Sequence, residues 1–142
     1  MELIVKHFKE LTPDLLYDFV QAREKVFLLE QHIVCQDCDD VDRDALHIAL
    51  VDEGKVLAYL RLFRKDGDVL IGRVLTTDRK KGYGAEVMRF AAEIARDRLG
   101  ASRILLHSQT YAIPFYEKCG YRVVSEEFLE EGIPHRMMEI RL

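Results

Sequence analysis

Long apolar runs are missing from this chain. Nothing in its 142 residues approaches the ~20 consecutive apolar positions that a membrane-crossing helix requires, so no membrane partner is expected. The opening residues, MELIVKHFKE, break their apolar positions with charge and do not read as a secretory leader; a cytoplasmic address is the expectation. Cysteine is scarce too. Three thiols are an odd number and a poor disulfide framework, as a reducing compartment would have it. An excess of positive charge is also lacking: 21 Lys and Arg stand against 25 Asp and Glu, for a net charge of -4. A general nucleic-acid binder shows a strongly basic face, so no nucleic-acid partner is expected. No repeat, low-complexity segment or flexible linker divides the chain. Its length suits one domain, residues 1–142, with one buried core.

The patterns that are present alternate between strand and helix. Glu2 to Phe8 alternates as a first strand. Thr12-Pro13-Asp14 starts a helix, with Thr12 as cap, Pro13 at the first helical position and Asp14 at the positive end of the dipole. Leu15, Leu16, Phe19, Val20, Val26 and Phe27 recur on one face, with a break near Arg23. Residues 32–44 hold acids and two cysteines without periodicity and read as a loop. Leu46 to Val51, Val56 to Phe63 and Val69 to Thr76 form an antiparallel meander, turned at DEGK and KDGD. A helix from Gly84 to Leu99 stops at Gly100. Ile104 to His107 is a short strand and Pro114 to Lys118 a short helix closed by Gly120. Tyr121 to Glu127 and His135 to Leu142 are the closing strands. This order predicts an α/β architecture: a mixed, mostly antiparallel sheet with helices on both faces.

The junction RKKGYG, Arg79 to Gly84, joins the meander to the long helix. A helix N-terminus offers unpaired N–H groups and partial positive charge, and phosphates settle there. Gly82 and Gly84 let an anion approach the backbone; Arg79, Lys80 and Lys81 add charge at the rim. The spacing does not fit a P-loop. The dinucleotide fingerprint needs a third glycine where Val87 stands, and expects an early parallel βαβ unit. A basic turn without a ligand is the plain alternative.

Further along stands YAIPFYEKCGYRVV. A phenol such as Tyr116, with an ordinary pKa near 10, can protonate a departing thiolate if it lies within hydrogen-bond reach. The alternative is a half-buried packing aromatic.

Together these segments resemble the GNAT acetyltransferases. Arg79, Gly82 and Gly84 match the family's Arg/Gln-x-x-Gly-x-Gly/Ala loop. Phe115 to Lys118 with Gly120-Tyr121 is similar to the segment carrying the family's tyrosine. Ala112 matches that pattern, while Gln109 stands where the family has asparagine. REKVFLLEQ, QDCDDVD, AYLRL, IGRVLTT, EEGIPHRMM and His47 resemble segments of the ElaA-like branch, with Val34 and Cys35 departing from its usual proline and aromatic.

The resemblance implies a twisted sheet whose fourth and fifth strands splay apart to hold acetyl-CoA. On that basis the main chain of Val74, Leu75 and Thr76 faces the pantetheine arm as an added strand would. The amides from Lys80 to Ala85, including Tyr83, hold the diphosphate with Arg79 at the rim, and Gln109 borders the cofactor. Small residues at Ala85, Ala91, Ala92 and Ala95 let the helix sit close to the sheet. The implied reaction moves the acetyl group to a primary amine by direct attack in a ternary complex. A fourth-strand N–H faces the oxyanion, Tyr116 is general acid, and no metal is used.

Glu30 and His47 are the candidates for general base, each with a structural alternative: Glu30 paired with Arg61 or Arg73, His47 as a satisfied strand residue. Asp37, Asp39, Asp40 and Asp42 either recognise a cationic acceptor or form a solvated loop. Cys35 and Cys38 form a C-x-x-C pair without the second pair that structural zinc needs; a zinc or redox protein is the competing class. A CoA-binding regulatory module without turnover is another. The acceptor is a small-molecule or peptide amine, and the chain is a monomer or homodimer.

Overall fold

The computed structural model describes all residues 1–142. Eight strands form one sheet in the order β1-β2-β3-β4-β5-β8-β6, with β7 paired to β8. The strands are β1 (Glu2–His7), β2 (Leu46–Asp52), β3 (Lys55–Lys65), β4 (Asp68–Thr76), β5 (Arg103–Gln109), β6 (Arg122–Val123), β7 (Phe128–Glu130) and β8 (Ile133–Arg141). Every pairing is antiparallel except β4 with β5.

That exception shapes the molecule. β4 and β5 pair only over Val69–Ile71 and Ile104–Leu106. Both strands continue beyond this, to Thr76 and Gln109, without pairing to each other. β4 also carries an extra residue against β3 between the Arg61–Gly72 and Tyr59–Leu75 pairs. Arg73 absorbs it at φ 54°, and such a bulge re-aims a strand. The expected splay therefore begins at Gly72 and His107.

Helix α1 (Pro13–Arg23) starts as the sequence predicts: the Thr12 side chain accepts from the Leu15 N–H, and Pro13 leads the helix. The break near Arg23 is a change of winding, with Glu24–Glu30 continuing as a π-helix. Wider turns of this kind recur at functional sites. Phe19, Ala22 and Val26 bury against Ile4, Ala49, Tyr59 and Leu75 on one sheet face. Helix α2 (Tyr83–Leu99) covers the other face, where Val87, Met88, Ala91 and Ala95 meet Ile48, Leu60, Ile71 and Leu106. Short helix α3 (Ile113–Lys118) packs Phe115 and Tyr116 against that second core.

The C-terminal third departs from expectation. The proposed strand Tyr121 to Glu127 pairs for two residues only. Ser125 then interrupts the ladder: its Oγ accepts from the Met137 N–H at 2.8 Å, and its carbonyl accepts from Arg136 Nε at 3.1 Å. A hydroxyl competing for ladder hydrogen bonds ends a strand. The chain then makes a hairpin, β7 to β8, turning at Glu131 and Gly132, both at positive φ. The 32–44 loop likewise contains a 3₁₀ turn, Asp40–Asp44, capped by the Asp39 side chain.

Candidate active site

Where β4 and β5 part, a cleft opens. Its inner section, about 310 Å³, is lined by Val26, Gln31, Val74, Leu75, Thr76, Arg79, Gly84, Tyr111, Ala112, Phe115 and Tyr116. A second section of about 290 Å³ continues over the start of α2, lined by Asp78, Lys80, Gly82, Tyr83 and Ala85 as well. Thr76, Arg79, Gly84 and Phe115 border both, so the two sections join.

The α2 end is a bare helix terminus. Gly82 is its N-cap at φ 78°, and no side chain caps the helix. The first-turn N–H groups therefore have no intrahelical or capping partner and can meet an anion. The two glycines serve different needs. A Cβ on Gly82 would meet nothing within 4 Å, but its positive φ strains any other residue. A Cβ on Gly84 would lie 3.0 Å from Thr76 Cγ2 and 3.2 Å from Phe115 Cζ. So Gly84 seats α2 against β4 and α3, the close approach assigned in part to Ala85. Ala85 is exposed beside the cleft, while Ala91 and Ala95 are fully buried. Lys80, Lys81 and Gly82 are exposed, and Lys80 sits at φ 68°.

Tyr116 lines the inner section, half-buried, with its ring 5.1 Å from that of Phe115 and 6.2 Å from that of Tyr121. Burial pushes its phenol well above the ordinary range, aided by Tyr111 and Cys119. The group stays protonated and holds a proton to give.

The base candidates occupy different places. Glu30 lies on the rim, where Arg79 Nη2 donates to Oε2 at 3.1 Å. That pair replaces the expected partners Arg61 and Arg73. His47 is 1 % exposed and does not line the cleft. Its Nε2 donates to the Asp42 carbonyl at 2.9 Å, so Nδ1 accepts from the Tyr59 hydroxyl at 2.7 Å. Burial pushes this imidazole below its ordinary value. Both ring nitrogens are occupied within the core. Gln109 does not line the cleft either: its Nε2 donates to Gln31 Oε1 at 3.1 Å, while Gln31 Nε2 donates to the Tyr111 hydroxyl at 3.0 Å. These amides bridge the end of the π-helix to the end of β5.

The acidic loop is neither a free cation site nor simply solvated. Arg23, 1 % exposed, donates from Nη1 to Asp42 at 2.8 Å and from Nε to Asp37 at 2.9 Å. Arg61 reaches Asp39 at 2.7 Å and Asp42 at 2.9 Å. Arg73 pairs with Asp37 at 2.9 Å. Burial alone would raise the Asp42 carboxyl, but Arg23 and Arg61 outweigh it and hold it below the usual range. Asp40 alone of the four stays exposed and peripheral. The three inward aspartates thus fasten the loop to the sheet. Periodicity gave no sign of this, although a basic residue at a core-facing helix position, Arg23, is a signal that an acid must meet it. Cys35, Cys38 and Cys119 are free thiols, and no cluster of three or more His, Cys, Asp or Glu is arranged to hold a metal ion. No helix is long and apolar enough to cross a membrane.

Comparison with known proteins agrees with this geometry. Residues 16–142 match the family model for an acetyltransferase (GNAT) domain. An uncharacterised N-acetyltransferase, YjcF of Bacillus subtilis, is 37 % identical over 97 % of this chain and 98 % of its own. The ElaA protein of Escherichia coli is 32 % identical over 91 % of this chain and 89 % of its own. Its crystal structure superposes with a TM-score of 0.92, covering 99 % of this chain and all of that one. An acyl-CoA N-acyltransferase from Pseudomonas aeruginosa superposes at 0.91, with 33 % identity and 99 % of each chain covered. A strand pair that opens at a bulge, an uncapped helix facing the opening and a tyrosine within it are thus met in a chain that belongs to the GNAT acetyltransferase family, as an acyl-CoA-dependent N-acyltransferase of its ElaA-like branch.

Proposed function

We propose that this chain, acting as one catalytic domain, transfers the acetyl group of acetyl-CoA to a primary amine in a ternary complex, with Tyr116 as general acid. The carrying observation is the continuous cleft between the parted strands, with a bare helix terminus at one end and a half-buried phenol in the other section.

Each part has a physical task. The N–H groups from Lys80 to Ala85 receive the diphosphate, and Arg79 leaves Glu30 to join them. The unpaired edge of β4 at Val74, Leu75 and Thr76 offers main-chain hydrogen bonds to the pantetheine amides. Main-chain contacts at both ends fix the position of the sulfur, and orientation is worth several kcal/mol of a barrier. Tyr116 holds its proton for the departing thiolate. Gln109 acts through Gln31, keeping the π-helix and β5 at a fixed separation. His47 positions Asp42 and Tyr59 beneath the acceptor side, and Glu30 serves as the resting partner of Arg79.

Release of CoA thiol from acetyl-CoA with a panel of primary amines tests the reading. Tyr116→Phe is expected to lower turnover about 10²-fold, the scale of a lost proton donor, with CoA affinity unchanged. Unaltered turnover removes Tyr116 from the chemistry. CoA binding without thiol release on any amine favours a regulatory module instead.

A further inference from the structure

A second group of titratable side chains sits where the strands begin to part, and the reading above does not use it. His107 is the first residue of β5 beyond the last pair with β4. Leu106 belongs to the core under α2, so the alternation of the strand directs His107 to the opposite face, the α1 side. Its Nδ1 lies 2.9 Å from Glu130 Oε1 on β7. A carboxylate can only accept there, so Nδ1 carries the proton and Nε2 has the free lone pair. Glu130 Oε2 lies 3.5 Å from His135 Nε2, whose ring donates from Nδ1 to the Ile133 carbonyl at 2.7 Å. Phe128 closes the group, edge-on to His107 at 5.2 Å and stacked on His135 at 6.1 Å. From β4, Arg73 contributes to holding the Glu130 carboxyl below its usual range, after the larger effect of the His107 hydrogen bond. Arg73 is itself neutralised by Asp37. The charged and titratable groups around the Glu130 carboxylate are thus His107, His135 and, from β4, Arg73, itself paired with Asp37.

We propose that His107 takes the proton from the acceptor amine, with Glu130 as its positioning residue; this rests on the acetyl-transfer reading above. The acceptor class is an amine that arrives as an ammonium. Its proton moves to Nε2 of His107 and the Glu130 carboxylate stabilises the imidazolium. The freed nitrogen lone pair forms the C–N bond to the thioester carbon. The C–S bond breaks with its electron pair on sulfur, and Tyr116 protonates the thiolate. The second proton lost from nitrogen restores the phenol through water, and His107 returns its proton to solvent. One ammonium and one thioester give one amide, one thiol and one released proton. The register explains the placement: Gly72 and His107 are the first residues past the last β4–β5 pair, and the bulge residue Arg73 follows, next to Val74, which lines the cleft.

The test compares His107→Gln with the parent protein, using two acceptors with acetyl-CoA at pH 7. Butylamine is an ammonium at that pH and trifluoroethylamine is largely neutral. The expected result is a fall of about 10²-fold with butylamine and less than about threefold with trifluoroethylamine, with CoA affinity by calorimetry unchanged. Glu130→Gln should shift the ascending limb of the pH–rate profile for butylamine, which a merely structural role would not move. An equal fall for both amines, no fall with either, or a parent protein that binds CoA but turns over neither amine overturns the role of His107. Absent CoA binding instead overturns the reading on which it rests.

Discussion

At the α2 end of the cleft, main chain faces the opening; between the 32–44 loop and the sheet, side chains are held by other side chains. The first needs only two glycines and an uncapped helix, all within six residues. The second needs Arg23, Arg61 and Arg73 from three elements to meet Asp37, Asp39 and Asp42 from a loop. A main-chain cup suits a ligand whose diphosphate never varies. A side-chain wall can be altered residue by residue. The two halves should therefore fail in different ways.

Breaking the side-chain wall should cost most. Arg23→Ala leaves Asp42 with Arg61 as its one buried partner and Asp37 with Arg73; one-sided removal of a buried ion pair costs about 3–5 kcal/mol, and the remaining partners place this loss at the lower end. Urea unfolding reads this directly; a loss under 1 kcal/mol would mean the network does not fasten the 32–44 loop to the sheet. At the main-chain end, Gly84→Val forces a side chain into Thr76 and Phe115, and overpacking of this kind costs about 1–3 kcal/mol. CoA affinity measured by calorimetry should fall tenfold or more. Gly82→Ala has open space but keeps the left-handed backbone, at about 1 kcal/mol of strain, and CoA affinity should fall only severalfold. Equal losses at the two glycines would erase the distinction between steric and conformational roles.

Acid should undo the wall in two stages. His47 titrates below its ordinary 6.5 in the folded chain, so the unfolded chain takes up that proton first. Its contribution is complete above about pH 6.5 and is lost as pH falls toward the folded value. Asp39 and Asp42 are held below 3.8. Their contribution is complete above that pH and is lost as pH falls through their folded values. Denaturation midpoints between pH 8 and pH 3 should decline in this order, and His47→Gln should remove the first stage. The smallest effect belongs to Glu30→Gln. Its pair with Arg79 is exposed on both sides, and such pairs contribute about 0–1 kcal/mol, so CoA affinity should change less than fivefold.

The same contrast governs what could be read from residue order. The meander, both long helices and the glycine junction follow from local rules: hairpin turns, a Thr-Pro-Asp start, a Gly stop. These are satisfied within a few positions, so they were legible. Arg23 meets Asp42 across 19 residues, and Arg61 meets Asp39 across 22. Periodicity carries no information about such partners, which is why the acidic loop stood open between a cation site and a solvated run, and why Arg61 and Arg73 stood as the arginines offered to Glu30. His47 was seen as a candidate base because its chemistry is visible and its burial is not. His107 escaped notice for the opposite reason: it looked like one more strand residue until β7 brought Glu130 to it. Ser125 ended a strand that its neighbours favoured, through hydrogen bonds to residues 11 and 12 positions later.

The central claim is that the opened strand pair and the bare start of α2 together aim a thioester at Tyr116. A crystal structure of the protein with acetyl-CoA tests it most directly. The expected result is a diphosphate on the N–H groups of residues 80–85 and a sulfur within hydrogen-bond reach of the Tyr116 hydroxyl. A cofactor bound elsewhere, or a sulfur too far from that hydroxyl to share its proton, would contradict it.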